Sequence, residues 1–156
     1  MKKALIISIF VITFALVLIC FLFALSNNVF YQEYKYFMPK NTVEKKLYDD
    51  HGGFAIDGVS LYSYSFDKDG ANNFIAHIKG SQDWYSTPLP DDLNTVLYGK
   101  DNYNYKYGIK AGLPKIKNGY WRYKSYRAGN YLDCNFFSLS IYDLDSNTLY
   151  LLKVKI

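Results

Sequence analysis

The densest group of side chains that could do chemistry lies between residues 49 and 58, with the sequence Asp-Asp-His-Gly-Gly-Phe-Ala-Ile-Asp-Gly. An imidazole such as His51, close to Asp49, Asp50 and Asp57, can act as a general acid–base pair or ligate a divalent metal. The same residues also suit a structural loop, because Asp side chains accept hydrogen bonds from nearby backbone N–H groups and glycines permit tight turns. The spacing matches neither H-E-x-x-H nor a phosphate-binding loop. We therefore expect an entry loop to the first strand, with His51 and Asp57 as candidate binding residues, no metal and no cofactor.

Aromatic side chains form the second group of candidates. All 17 tyrosines lie after residue 30, and aromatic residues make up 19% of the chain. Tyr and Trp offer a large apolar area with a polar tip, so they can stack on sugar rings or form a protein interface. The candidates of this kind are Trp84, Trp121 and Tyr123, with Arg122 supplying a positive charge that could meet an anionic wall polymer or headgroups. The alternative is that these tyrosines cover sheet edges and that the charges only keep the surface soluble.

Nucleophilic catalysis has no recognisable motif in this chain. No serine lies in a G-x-S-x-G turn, and there are only two histidines, of which His77 is expected on a helix surface. Cys20 lies in an apolar run and Cys134 stands alone, so we expect no disulfide and favour a buried, structural Cys134. The enzyme question stays open on this basis, and the sequence leans away from an enzyme.

Residues 4–25 form an apolar run in which only Ser8 and Thr13 are polar. A helix of this length spans about 33 Å, close to the hydrocarbon thickness of a bilayer. Lys2 and Lys3 precede the run and predict a cytoplasmic N-terminus. We therefore expect residues 1–3 inside the cell, a single membrane helix over 4–25, and the remainder outside. A cleaved signal peptide remains an alternative, because Ala24-Leu25-Ser26 is a passable cleavage site.

The remainder of the chain is ordinary in length and charge. Removing residues 1–25 leaves 131 positions with 16 basic and 14 acidic residues. That length suits one domain, and the near-neutral charge argues against nucleic acid as a partner. We expect residues 26–48 to be a membrane-proximal connector, with one or two helical turns at Val43–Tyr48, and residues 49–156 to be the domain.

Hydropathy patterns within this domain predict an α+β fold. Val59–Phe66 alternates as a half-buried strand, and its heavier face, which carries Tyr62, Tyr64 and Phe66, is expected to be the covered one. Further elements are predicted as helices at Ala71–Ile78 and Asp91–Leu97, an irregular loop at Tyr98–Lys110, and strands at Gly119–Tyr126, Asn135–Leu144 and Leu149–Ile156. The order β-α-α-β-β-β predicts a small antiparallel sheet with one or two helices on one face.

Four stretches together resemble small membrane-anchored extracytoplasmic proteins of Gram-positive bacteria. They are Asp50–Phe54 with Asp57-Gly58, Trp84 through Pro88-Leu89-Pro90 to Leu93, Leu113–Trp121, and Ser138 through Asp143 to Leu149-Tyr150. The resemblance covers roughly residues 50 to 154 and is an overall pattern, not a catalytic signature. It implies a bacterial, single-pass protein with one extracytoplasmic domain. It implies no activity, cofactor or catalytic residue.

These observations favour a membrane-tethered, non-enzymatic domain that binds a protein or a cell-envelope component. One alternative is an envelope hydrolase or metal-dependent enzyme that uses the Asp49-Asp50-His51 cluster with Asp57. Another is a membrane-anchored immunity or inhibitor protein. All three hypotheses place the chain at the cell membrane, held there by residues 4–25.

Overall fold

The computed structural model describes residues 2–27, 33–34, 37–51, 57–99, 106–126 and 135–156. The chain divides into two compact units, Met1–Met38 and Pro39–Ile156. The first unit contains helix α1 (Lys2–Asn27), whose side chains are described over residues 10–22. In the described part of the chain, no helix is long and apolar enough to cross a membrane. The membrane helix predicted over residues 4–25 is therefore not supported.

The second unit is built on one antiparallel sheet of six strands. The strands are β1 (Val43–Asp49), β2 (Gly58–Ser65), β3 (Tyr85–Ser86), β4 (Gly119–Ser125), β5 (Phe136–Asp143) and β6 (Thr148–Lys155). Their spatial order is β1-β2-β6-β5-β4-β3, so β6 pairs with both β2 and β5. The α+β class and the antiparallel sheet are confirmed, and the four predicted strands agree with β2, β4, β5 and β6 to within one residue at each end.

Among the described residues of this unit, three helices accompany the sheet: α2 (Lys68–Lys79), α3 (Asp91–Tyr98) and α4 (Tyr107–Ala111). Asp67 caps α2, since its Oδ1 accepts a hydrogen bond from the Gly70 N–H at 2.8 Å. Gly80 ends the same helix. The α3 helix begins directly after Pro90, where the fixed φ of proline favours a helix start.

Helices α3 and α4 cover one face of the sheet. The buried core on this face combines helix residues with alternate strand residues, and its members are Val59, Leu61, Leu93, Val96, Leu97, Tyr107, Ala111, Leu113, Trp121, Phe137, Leu139, Ile141, Leu152 and Val154. In β2 this is the face of Val59 and Leu61, which carries the smaller side chains. Burial of this apolar area is the main source of stability for the unit.

Helix α2 packs against the opposite face. Its Phe74 is fully buried, with ring centroids 5.2 Å from Tyr142 and 5.0 Å from Phe66. Tyr64 of β2 is fully buried on the same side. The expectation of helices on one face is therefore wrong, because helices lie on both faces. The prediction that the heavier face of β2 is covered is right for Tyr64 and Phe66, but the other face is covered as well.

Strand β1 corrects a second expectation. Residues Val43–Tyr48 were predicted to form helical turns in a connector, but they form an edge strand that pairs with β2. Most of its side chains are exposed, so burial imposed no alternation that the sequence could show. The compact unit accordingly begins at Pro39 and not near Asp49. The predicted loop at Tyr98–Lys110 also contains the start of α4 at Tyr107, and its residues 100–105 lie outside the described residues.

Candidate binding site

The His51 cluster lies where β1 ends. The His51 Nδ1 atom is 2.7 Å from Asp49 Oδ1, and the Lys46 ammonium is 2.8 Å from Asp49 Oδ2. Lys46 and then His51 lower the pKa of Asp49 to about 2, because both hydrogen-bond to its ionised form. The side chains of His51 and Asp49 are each about a third exposed, at 31% and 32%. The pair is thus a solvent-accessible His–carboxylate contact, which can orient the imidazole.

Asp50 has a structural role in the same turn. Its Oδ1 accepts a hydrogen bond from the Val59 N–H at 2.5 Å, and its Oδ2 accepts one from the Tyr48 hydroxyl at 3.2 Å. Oδ2 also forms an ion pair with Lys110 of α4. Lys110 is the main cause of a lowered Asp50 pKa, since its positive charge favours the carboxylate form. Through these contacts Asp50 connects β1, β2 and α4.

The remaining members of the predicted cluster do not join it in the described residues. Asp57 is exposed, and no contact between Asp57 and His51 is found there. Residues 52–56 and Cys134 lie outside the described residues. Within the part of the chain that is described, no three His, Cys, Asp or Glu side chains are placed to hold a metal ion. His77 is exposed on α2, as predicted.

The aromatic candidates are placed on different sides of the sheet. Trp121 is 5% exposed, its Nε1 donates to the Ser86 carbonyl at 3.1 Å, and its ring lies 4.9 Å from that of Tyr85. Tyr123 packs on Phe137 at 5.3 Å on this same face. Trp84 packs edge-on against Phe74 at 5.8 Å, on the face covered by α2. The structure therefore brings Trp121 and Tyr123 to one face and Trp84 to the other.

Arg122 is held by an ion pair. Its Nε lies 2.6 Å from Asp83 Oδ2, and its side chain is only 16% exposed. Burial acts to raise the pKa of Asp83, but a hydrogen bond from Ser81 and Coulombic attraction from Arg122 together lower it below its usual value. Because its guanidinium is engaged by Asp83, Arg122 belongs to the packing of β4 against the segment before β3.

A cleft that the sequence did not predict lies beside α3. Its volume is about 460 Å³, within the range of roughly 300–1,000 Å³ usual for small-ligand sites. One wall is a single face of α3, because its lining residues recur at helical spacing. The other wall is the segment before β4, and the lining residues are Pro88, Leu89, Asp91, Asn94, Thr95, Tyr98, Gly99, Lys115, Ile116 and Lys117.

Side-chain hydrogen bonds hold the start of α3 against the turn before it. The Asn94 amide nitrogen donates to the Leu89 carbonyl at 2.8 Å and to the Pro90 carbonyl at 3.3 Å. The Thr95 hydroxyl donates to the Asp91 carbonyl at 2.9 Å, one turn back along the helix. These bonds fix the position of the α3 wall relative to Leu89, so this part of the cleft is formed before any ligand binds.

The opposite wall is pinned at two points. The Tyr98 hydroxyl donates to the Pro114 carbonyl at 2.9 Å, and the Thr87 hydroxyl donates to the Lys117 carbonyl at 2.9 Å. Burial raises the pKa of Tyr98 to about 12, so its phenol remains protonated and remains a donor at neutral pH. The segment from Pro114 to Lys117 is thereby fixed at both ends.

The end of α3 closes one end of the cleft. Gly99 has a φ of +69°, a conformation that side chains other than glycine adopt at a cost. A Cβ at this position would lie 2.6 Å from Cε of Lys106, so the stem of Lys106 lies directly against Gly99. The Lys115 ammonium lies 5.1 Å from the centre of the Tyr98 ring, a cation–π contact. Lys106 and Lys115 therefore lie against neighbouring residues at this end, Gly99 and Tyr98.

Sequence reasoning missed this cleft because its walls are 16 or more residues apart along the chain. The Pro88-Leu89-Pro90 break was visible, but nothing local indicates that residues 115–117 pack beside α3. The helical spacing of Asp91, Asn94, Thr95 and Tyr98 was the one available signal, since it places four polar groups on one face.

Comparisons with known proteins add no relative. No protein-family model matches the chain, and no curated protein or solved structure is significantly similar to it.

Proposed function

We propose that this chain is a membrane-anchored binding protein. Residues 4–25 hold it in the cell membrane, residues 1–3 lie in the cytoplasm, and the Pro39–Ile156 unit lies outside. There the unit binds a cell-envelope component, either a protein or a wall polymer. The apolar run supports the anchor, as do the described α1 side chains, among which Phe10, Phe14 and Phe21 are 74%, 64% and 60% exposed. Large apolar surfaces of this kind mark contact with a membrane or a partner.

The cleft beside α3 is the observation that carries the binding proposal. It combines apolar surface from Leu89 and Ile116 with an amide, a hydroxyl and ammonium groups. Such a mixture supports recognition, in which apolar contacts supply affinity and a few polar groups supply orientation. The hydrogen bonds that fix both walls reduce the entropy lost on binding.

A cleft-filling variant tests this proposal. Full-length protein in neutral detergent is mixed with isolated Gram-positive cell envelopes, and the bound fraction is measured by co-sedimentation. Thr95→Trp fills the cleft from α3 and should lower the apparent affinity about tenfold, a loss of about 1.4 kcal/mol. Asn73→Trp adds the same bulk at an exposed position of α2, on the opposite face of the sheet, and should bind normally.

Two results would contradict the proposal. Equal binding by wild type and Thr95→Trp places the interaction elsewhere on the protein. Equal loss in both variants indicates that added tryptophan, and not the cleft, weakens binding.

Orientation needs its own measurement. We expect external protease to degrade residues 27–156 in intact protoplasts while a tag before residue 1 survives. Protection of residues 27–156 would overturn the topology. Mass measurement of the membrane-associated protein would show in the same preparation whether the first 26 residues are retained.

A further inference from the structure

Three lysines at the cleft have no acidic partner among the described residues. Lys115 and Lys117 line one wall, and Lys106 lies against Gly99 at the end of α3. No described carboxylate oxygen lies within 4.0 Å of any of their ammonium groups. By contrast, other basic side chains form ion pairs. Lys46 pairs with Asp49 at 2.8 Å and Arg122 with Asp83 at 2.6 Å, and Lys110 pairs with Asp50. Within the described residues, the cleft therefore holds positive charge that is not neutralised by ion pairing.

The positions of these charges are constrained by the backbone. Hydrogen bonds to the carbonyls of Pro114 and Lys117 hold the segment on either side of Lys115. Lys115 and Lys117 are two residues apart, so their Cα atoms are separated by at most about 7 Å. Lys106 adds a third charge near the Tyr98 end. Several positive charges at one cleft suit a ligand that carries more than one negative group.

The cations at the cleft are compatible with phosphate groups. Lysine ammonium groups act as separate point charges and commonly bind phosphate. The basic groups at the cleft that belong to described residues are all lysines. The Tyr98 ring, Ile116 and Leu89 line the same cleft and offer apolar contact to the carbon atoms that link successive charges.

We propose that the cleft binds a phosphodiester-linked polyanion, with one phosphate between Lys106 and Lys115 and the next toward Lys117. This inference rests on the proposed function, because it names the ligand class of the same cleft. Asp91, at the Pro88 end, is the one carboxylate among the lining residues, and its charge opposes the binding of an anion there.

The test uses the full-length protein in neutral detergent micelles and poly(glycerol phosphate) as the probe, with affinity measured by calorimetry. The double variant K115Q/K117Q should weaken binding about tenfold or more, because each lysine that contacts a phosphate contributes to affinity. The matched control K68Q/K79Q removes two exposed charges from α2 and should change affinity less than about twofold.

A third variant distinguishes recognition from damage to the fold. D91N removes the opposing carboxylate and should tighten binding by about two- to threefold. Structural damage would not tighten binding. A weaker affinity for D91N, or equal losses in the two double variants, would overturn the inference, as would the absence of saturable binding by the wild type.

Two further measurements answer separate questions. One distinguishes a polymeric ligand from a small phosphorylated ligand, and the other distinguishes failure of this inference from failure of the proposed function. Glycerol 3-phosphate should bind at least about tenfold more weakly than the polymer, since it engages one lysine site. Equal affinity for the monomer would overturn a polyanion in favour of a small phosphorylated ligand. If Thr95→Trp abolishes envelope binding but K115Q/K117Q does not alter it, the cleft is a binding site and the polyanion inference fails alone.

Discussion

Lys110 in α4 forms an ion pair with Asp50, the residue that follows β1. The same carboxylate accepts a hydrogen bond from the Val59 N–H at the start of β2. One side chain thus links a sheet edge, the neighbouring strand and a short helix that packs on the sheet. Asp50 is therefore a fixed point in the chain directly before His51.

Replacing Asp50 should cost more stability than removing its lysine partner. In Asp50→Ala the Val59 N–H and the Tyr48 hydroxyl both lose an acceptor, and we expect the free energy of unfolding to fall by about 1–3 kcal/mol. In Lys110→Met only a partly exposed ion pair is lost, at a cost of about 0.5 kcal/mol. Urea unfolding monitored by circular dichroism measures both. Equal losses would show that the ion pair, and not the backbone contact, holds the turn.

Acid should weaken the fold through Asp49. Its folded pKa of about 2 lies below the usual value of 3.8, so its ionised form stabilises the protein above about pH 4. That contribution is lost as the pH falls from about 4 to 2, because over this range the unfolded state takes up a proton that the folded state still excludes. Urea midpoints of wild type and Asp49→Asn should therefore converge between pH 5 and pH 2.

High salt should reduce this difference, because Lys46 is largely exposed and its charge is screened. Parallel pH dependence in the two proteins would contradict the assigned role of Lys46 and His51.

Phe74 should be essential for packing α2 on the sheet. Its side chain is fully buried against Phe66, Trp84 and Tyr142. Phe74→Ala should lower the free energy of unfolding by about 3–5 kcal/mol through lost contacts and a cavity. The neighbouring Asn73 is exposed, and Asn73→Ala should change stability by less than about 0.5 kcal/mol. A small effect of Phe74→Ala would mean that α2 contributes little to the core.

Trp121 should act in folding and not in ligand contact. Trp121→Phe keeps a ring against Tyr85 but loses the hydrogen bond to the Ser86 carbonyl, so we expect a loss of about 1 kcal/mol. Envelope binding by this variant should equal that of wild type. Lower affinity without a change in the urea midpoint would restore Trp121 as a contact residue.

The elements that sequence could predict are those whose burial produces a pattern. β2 alternates because its two faces pack against different helices, with Leu61 on the side of α3 and α4 and Tyr64 on the side of α2. The α2 helix begins after Asp67 and ends at Gly80, and both are residue types that commonly cap helices. β1 escaped prediction because an exposed edge strand is held by backbone pairing with β2, which leaves side chains nearly unconstrained. β3 has two residues and is defined by its partner β4 alone.

The candidate sites also differ in whether the local sequence could indicate them. The contact between His51 and Asp49 joins residues two apart, so local sequence could indicate it. The cleft joins Tyr98 to Pro114 and Thr87 to Lys117, pairs that meet only after the sheet and helices have packed. Trp121 and Tyr123 are separated from Trp84 by the sheet, and composition alone could not assign faces to these aromatic residues.

The position of β6 has a consequence for how the sheet forms. Among the described strands, only β6 pairs with both groups, so without it β1 and β2 share no strand pairing with β3, β4 and β5. Pairing of Leu61 with Leu152 closes a loop of about ninety residues, which is slow because the chain must lose much entropy first. Residues 148–155 therefore complete the sheet. In a nascent chain in which these residues cannot yet pair, the facing edges of β2 and β5 have unpaired backbone groups.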